Sequence, residues 1–472
     1  MKICFSSRAP FEKSSITFFK EVKKQWNGQC EGIFITMNKY ESSIVRSIDD
    51  SADIIQINEY LKTNWDGFTF EKLAEYEKKY NCSPIWNYIY TDRFLINADF
   101  DYAVKTTVGL FAFYEKVFTE NKIDYYYDEV IATLHTFIAA IVCNHHGGKY
   151  ISQMCARGRD STHHYFVTDP YQNISTFDEN YKNKSYPKEL LNEAEAFLKE
   201  FEEKDIKPGY MKISGKKPHL RFKDLFLPPY YILQRLSGRF SDKYDYINYK
   251  QSKMILNNLT YYFRHLRSKK YYKTPDLSKK FVLFPLHYQP EASTIVCAPK
   301  YEKQLFFIDS WAKSLPADTL LYLKEHYAVL GHRKIDFYKQ LKQYPNVVLV
   351  DPFFNTRELV KKAEMVTTLT GTVGWEAMLL RRPVVLGGNI FFDNAPGITK
   401  VDDIYGKYLE IKENYHQPGR EEVVQYLCEY FSSCYKGVSD VISSDYYNPA
   451  NLESVARAFC SFAKDVKIEK LV

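Results

Sequence analysis

The chain has 472 residues, 45% of them hydrophobic and 26% charged, with a net charge of +6, 40 Tyr and 33 Phe. That length exceeds one typical core, so two domains are expected, and the balance of apolar and charged residues is that of a water-soluble globular protein. The mild positive charge allows attraction to a membrane surface or an acidic glycan but excludes a nucleic-acid-binding signature, so no nucleic-acid partner is expected. The nine cysteines are scattered without CxxC pairs or His/Cys ligand spacing, which speaks against a zinc site and a disulfide framework and for a reducing compartment. The first residues, MKICFSSRAPFEKSS, lack the apolar core of a signal peptide, and no run is long enough to span a bilayer. A cytoplasmic protein, peripheral at the inner face of the membrane, is the expectation.

In chain order, Lys2–Ser6 reads as a first strand, Ser15–Trp26 as an amphipathic helix and Glu31–Met37 as a second strand. Ile44–Tyr60 and Phe70–Tyr80 carry helical spacing, and Asp101–Thr119 reads as a long amphipathic helix. Lys122–Tyr127 then reads as a strand, Glu129–Cys143 as a buried helix, and Gly147–Gln153 as a strand leading into a loop with Arg157 and Arg159. The recurring βαβ order implies a parallel sheet. Residues 171–280 change to Lys, Glu, Asp and Tyr with Pro208-Gly209 and Pro228-Pro229 as punctuation, which reads as helices, turns and a linker.

From Phe281 the rhythm is regular. Strands are expected at Phe281–Pro285, Thr319–Leu323, Val347–Val350, Met365–Leu369 and Pro383–Leu386. Helices are expected at Tyr301–Ser314, Ile335–Gln343, Thr356–Ala363 and Trp375–Leu380, with two more in 420–464. The predicted fold is α/β: two Rossmann-like domains with parallel sheets facing an interdomain cleft. The expected domains are 1–275, binding the acceptor and carrying a helical insertion over about 171–275; 276–415, binding the donor; and C-terminal helices over 416–472 that cross back to the first domain.

Three strand ends in the second half concentrate chemistry. His287, Gln289, Glu291 and Ser293 follow the first strand, Lys324 and His326 the second, and the turn Thr370-Gly371-Thr372-Val373-Gly374 the strand Met365–Leu369. That turn brings hydroxyls and free N–H groups to a helix start, where the helix dipole favours a phosphate. Glu376, placed in the first helical turn, suits a neutral part of a ligand such as a ribose diol. His287 has a second reading, a strand-end histidine bonded to backbone, and the turn has one too, a capped helix in an ordinary α/β domain. The adjacent pairs His145-His146 and His163-His164 have no carboxylate cluster with them, so no metal site is expected.

The pattern Gln289-Pro290-Glu291-Ala292-Ser293, then Lys324-Glu325-His326, then Thr370-Gly371-Thr372-Val373-Gly374-Trp375-Glu376-Ala377, resembles the bacterial capsule polysaccharide biosynthesis proteins, among them the CMP-Kdo-dependent β-Kdo glycosyltransferases. The resemblance spans roughly 281–395, including Gly331-His332-Arg333, and implies a GT-B fold. Two positions depart from it: the family more often has Gly-Asp-Ala-Ser where this chain has Pro290 to Ser293, and Tyr327 follows His326 where Pro is usual.

The resemblance implies a metal-independent transfer of Kdo or a related nonulosonic acid from a CMP-activated donor to a capsule or surface glycan, free or lipid-linked, with no cofactor beyond the donor substrate. It places Glu291 at the anomeric centre as nucleophile or electrostatic stabiliser, with His287 and Gln289 positioning the sugar. Ser293, Lys324, His326, Thr370, Gly371, Thr372, Gly374 and Glu376 then hold the nucleotide sugar. Arg157, Arg159 and Glu129 in the first half are the expected acceptor contacts, Glu129 also as an acid/base partner. A sugar-nucleotide epimerase or hydrolase of the same architecture, and a non-catalytic capsule assembly component, are the alternatives.

Overall fold

A computed structural model describes the backbone of residues 1–82, 84–95, 98–157, 163–204, 242–247, 254–289, 294, 296–326 and 329–469, with side chains except at 91, 254–259 and 465–469. Among the described residues thirteen strands form two sheets. The first holds β1 (Lys2–Ser6), β2 (Glu31–Thr36), β3 (Asp53–Gln56), β4 (Tyr125–Tyr127), β5 (Lys149–Cys155) and β6 (His164–Thr168). The second holds β7 (Lys280–Pro285), β8 (Thr319–Lys324), β9 (Val347–Val350), β10 (Met365–Thr368), β11 (Val384–Leu386) and β12 (Ile398–Lys400), and the short β13 (Tyr435–Lys436) returns to the first.

The second sheet runs β12-β11-β10-β7-β8-β9 with every pair parallel, the doubly wound order in which the first strand lies beside the fourth. The first runs β13-β6-β5-β4-β1-β2-β3. Its five leading strands repeat that order in parallel. Both sheets therefore reverse direction between their first and fourth strands, β1 and β4 in one, β7 and β10 in the other. The α/β class with two Rossmann-type sheets agrees with the sequence reading.

Central parallel strands are covered on both faces, so they read as unbroken apolar runs rather than alternating ones. Ile3, Cys4 and Phe5 are fully buried, as are Val282, Leu283 and Phe284. Phe5 stands opposite Phe34 in register and stacks on it at 5.4 Å. Around β1 the core gathers Ile16, Phe18 and Val22 of the helix Glu12–Gln25 with Val455, Phe459 and Ala463 of the C-terminal helix Pro449–Glu469. Around β7 it gathers Phe307, Ile308 and Trp311 of the helix Gln304–Ser314 with Leu321, Leu349 and Met365.

The structure departs from the sequence reading in several places. Ile44–Tyr60 is not one helix: the Asp49 carboxylate accepts from the Ser51 amide and hydroxyl, turning the chain after the helix Lys39–Ile48 so that β3 and a new helix, Ile57–Asn64, follow. The helix expected from Glu129 starts only at Leu134, where Thr133 and Thr136 form a capping box, which leaves Glu129 in the loop after β4. β6 and β13 pair antiparallel, so the first sheet is mixed at one edge.

By contact density the chain divides into a first unit of Met1–Thr176, Pro229–Ser252 and Ser433–Val472 and a second of Phe177–Pro228 and Lys253–Ser432. This differs from boundaries at 275 and 415. The helix Lys188–Glu203 packs with Arg420–Ser432 through Phe197 against Phe431, and Arg420 bridges Glu195 and Glu202 at 2.9 and 2.6 Å. The helix Lys188–Glu203, expected in the first domain, is thus built into the second unit.

Candidate functional site in the second unit

Ligands of open α/β sheets bind beyond the carboxyl ends of the strands where the order reverses. In the second unit that place is formed by the loops after β7 and β10. His287, two residues past β7, ties them together. Its Nε2 receives the Leu369 N–H at 3.1 Å and lies 3.0 Å from the Thr368 hydroxyl, which in turn accepts the Gly371 N–H at 2.9 Å. Because a backbone N–H can only donate, Nε2 is bare and the ring proton sits on Nδ1. Burial, with Arg333 and His326 adding to it, pushes the His287 pKa from 6.5 down to about 3, so the ring is neutral.

The loop after β8 supplies a second layer. Glu325, whose side chain is fully buried, accepts from Arg333 Nε on both oxygens at 3.1 Å and from the Tyr338 hydroxyl at 3.0 Å. Arg333 then donates through Nη2 to the His287 carbonyl. An ion pair taken out of water is tolerable only with further hydrogen bonds, and the Glu325 carboxylate has them from the His326 N–H and the Tyr338 hydroxyl. Lys324 ends β8 rather than following it; it is buried, donates to the Pro352 carbonyl, and burial lowers its pKa from 10.5 to about 8. Burial also lowers the His326 pKa.

The turn after β10 is where donors are left open. The helix runs Thr372–Leu379, starting three residues earlier than expected, and its first residue follows Gly371 with no side chain capping it. The helices Lys39–Ile48 and Phe100–Glu120 are capped, by Asn38 accepting from Glu41 N and Asp99 from Tyr102 N, whereas Gln304–Ser314 and Ile335–Leu341 share the uncapped start. Beside the uncapped start, the Thr370 hydroxyl is buried without a hydrogen-bond partner among the described residues. Buried hydroxyls are usually paired, and an unpaired one at a loop end can still donate to an incoming acceptor. Gly371 admits no side chain, since a Cβ there would lie 2.6 Å from Thr368 Oγ1 and 3.1 Å from the His287 ring. Gly374 is closely packed too, against Phe392 and Thr368. Glu376 is the fifth residue of the helix and lies beyond its first turn, a correction to its expected place.

Of the residues singled out by sequence, the structure gathers His287, Thr370, Gly371, Thr372 and Gly374 at the two loops of the switch point. Lys324 and His326 stand at the end of the neighbouring strand β8. His287 is placed as the backbone-bonded strand-end histidine of its second reading, with its bare nitrogen filled. Gln289 donates its amide to the Glu302 carbonyl and lines a cavity of about 210 Å³ with Val329, His332, Arg333, Lys334 and Phe337. This volume suits one ring or a phosphate rather than a whole nucleotide sugar, given the roughly 300–1,000 Å³ of typical small-molecule sites. Glu291, Ser293 and Arg159 lie outside the described residues. Arg157 sits half-buried just after β5, and Glu129 belongs to the first unit. Among the described residues no group of three or more His, Cys, Asp or Glu side chains is placed to hold a metal ion, and no helix is long and apolar enough to cross a membrane.

Thr368, Glu325 and Arg333 were missed as a group. Glu325 and Arg333 stood inside the blocks that carry the family resemblance, but nothing in their spacing showed that eight residues of chain fold back to pair them.

Residues 229–425 match the family model described as capsule polysaccharide biosynthesis protein. No curated protein matches the chain. Among solved structures, the β-Kdo 2,4 transferase KpsC of Thermosulfurimonas dismutans aligns over 71% of this chain and 87% of its own at 13% identity, with a TM-score of 0.34. The UDP-GlcNAc 2-epimerase of Methanocaldococcus jannaschii aligns over 92% and 99% at 11% identity, with a TM-score of 0.26. The calicheamicin glycosyltransferase CalG4 aligns over 92% and 94% at 11% identity, with a TM-score of 0.28. Likenesses this distant do not bear on substrate or mechanism.

Proposed function

We propose, from the match of residues 229–425 to the family model described as capsule polysaccharide biosynthesis protein, that the chain is a glycosyltransferase moving a sugar, Kdo or a related nonulosonic acid, from a CMP-activated donor to a surface polysaccharide. The observation that carries the reading is the uncapped helix start at Thr372 beside the buried, unpaired Thr370 hydroxyl. Both offer donors, so the ligand they suit is an acceptor-rich anion, and a helix N-terminus is a natural phosphate seat.

A departing nucleotide gains negative charge on its phosphate as the glycosidic bond breaks. Preorganised N–H groups stabilise that charge without having to reorient, which is the economical way to lower the barrier. Lys324, with a pKa near 8, is still mainly cationic at neutral pH and adds to the same field from the adjoining strand end. In this reading Glu291 meets the oxocarbenium-like centre as nucleophile or stabiliser. The helix start at Thr372, Lys324 and His326 take the role a metal plays elsewhere. The acceptor is a glycan or lipid-linked glycan, met at the inner face of the membrane, where nucleotide sugars are made.

Thermal unfolding with CMP, UDP, GDP and their sugars tests this. A nucleotide at a hundredfold excess over its Kd adds about 2.7 kcal/mol to the native state, so CMP is expected to raise Tm clearly. If no nucleotide shifts the melt, the proposal fails. CMP release that needs an added glycan supports transfer; release without one makes the chain a hydrolase, and binding without turnover makes it an assembly component. Glu291→Gln is expected to keep CMP affinity and lower turnover on the order of 10³-fold.

A further inference from the structure

The first unit has its own switch point, between β1 and β4, and a polar cluster occupies it. Arg8, two residues past β1, and Glu129, two past β4, form an ion pair through Arg8 Nη2 and Glu129 Oε1. Arg8 Nε donates to His135 Nε2 at 2.8 Å. A guanidinium only donates, so His135 Nε2 is bare and Nδ1 carries the proton, which faces the Thr133 hydroxyl at 2.7 Å and the Tyr246 hydroxyl at 3.0 Å. His135 is fully buried, and burial holds its pKa well below the usual imidazole range, so this tautomer persists at neutral pH. Thr133 and Tyr246 orient His135, His135 orients Arg8, and Arg8 orients Glu129.

What the cluster leaves open decides what it takes. The Arg8 side chain is 11% exposed and already spends its charge on Glu129, whereas the Glu129 side chain is 29% exposed. The Glu129 N–H donates to Asp128 and its carbonyl accepts from Tyr150, but among the described residues Oε2 has no hydrogen-bond partner. The open atom is therefore an acceptor with negative charge. It suits a ligand that donates, such as a hydroxyl, and repels a phosphate or carboxylate.

We propose that Glu129 is a sugar-hydroxyl site of the first unit, its Oε2 accepting from a hydroxyl of the glycan acceptor while Arg8 and His135 act as positioning residues. The site stands on its own geometry; only the identity of its sugar as the transfer acceptor rests on the transferase reading. Carboxylates bind hydroxyls strongly because the hydrogen bond is charge-assisted.

Saturation-transfer NMR on the full chain, with methyl β-galactopyranoside and methyl α-mannopyranoside as probes, tests it. At least one sugar is expected to receive saturation from the unaltered protein. Glu129→Gln turns the outward oxygen into an amide donor once its carbonyl faces Arg8, and is expected to weaken sugar binding tenfold or more, with the CMP-induced thermal shift unchanged. Glu129→Asp is expected to restore part of the signal, which a purely structural role does not predict. Sugar binding by Glu129→Gln equal to that of the unaltered protein overturns the proposal, as does absence of saturation from both probes. Loss of the CMP shift together with the sugar signal also overturns it, because Glu129 then supports the fold. Glu129-dependent sugar binding in a chain that no nucleotide stabilises leaves this site standing and sinks the transferase reading instead.

Discussion

The two switch points share a topology and nearly share an inventory: each sets a buried neutral histidine, an arginine and a glutamate beyond the reversal of the sheet. They differ in which group reaches solvent. In the second unit Glu325 has a fully buried side chain, paired with Arg333, and what stays open is a helix start and a hydroxyl. In the first, the arginine is enclosed and the Glu129 carboxylate emerges, 29% exposed. One place is left short of acceptors and the other short of donors, so the first suits a sugar hydroxyl and the second a phosphate. Strand order brings these loops together, and the burial of one carboxylate relative to the other determines the charge each place presents.

The largest expected effect separates the two ion pairs. Arg333→Met strands Glu325 in the interior and is expected to cost about 3–5 kcal/mol. Arg8→Met leaves Glu129 free to turn to water but strands the bare Nε2 of buried His135, and about 1–3 kcal/mol is expected. Denaturant unfolding of both variants checks the order, and equal costs would erase the distinction between the two pairs.

Gly371→Ala comes next. Its Cβ would displace the Thr368 hydroxyl from His287, at a cost of about 1–3 kcal/mol for overpacking. CMP affinity is expected to fall roughly tenfold, a loss of about 1.4 kcal/mol, with sugar binding in the first unit unchanged. Calorimetry with CMP measures it.

The smallest effect is a difference in sign with pH. His287 falls from 6.5 to about 3 on folding, so its contribution is complete above pH 6.5 and is lost as the pH drops towards 3. Glu41, which accepts the Ala9 and Met37 amides beside the first switch point, rises from 4.5 to about 7, chiefly through burial. Its contribution is present below pH 4.5 and is lost as the pH rises through 7. Asp128 moves the same way, from 3.8 to about 7. The Tm of the unaltered protein minus that of His287→Gln should rise between about pH 5 and 7, and minus that of Glu41→Gln should fall. Slopes of one sign would contradict these assignments.

Much of the second unit was legible because its strands are short unbroken runs of Val, Ile, Leu and Phe between helical spacings, as at Val347–Val350, whose observed bounds match the expected ones. The turn at Thr370 to Gly374 was legible for the same local reason, two glycines and two hydroxyls between a strand and a helix. The first unit was harder. β3 was hidden in Ile44–Tyr60 because apolar spacing over a short window does not distinguish a helix from a helix, turn and strand. Glu129 was singled out but set on a helix, since no local signal outweighed the apolar run that follows until the capping box at Thr133.

Period, turn chemistry and apolar runs act between neighbours in the chain, so the sequence by itself determined the α/β class, the doubly wound second half and the Gly/Thr turn between strand and helix. Pairings between distant residues depend on how the sheets close. Only the tertiary structure decided that His287 spends its bare nitrogen on Leu369 and that Glu325 sinks beneath Arg333, 8 residues on in sequence. It also decided that Arg8 reaches Glu129 across 121 positions to leave one carboxylate oxygen facing out. Burial sets both the charge state and the availability of such groups, and burial is a property of the folded whole.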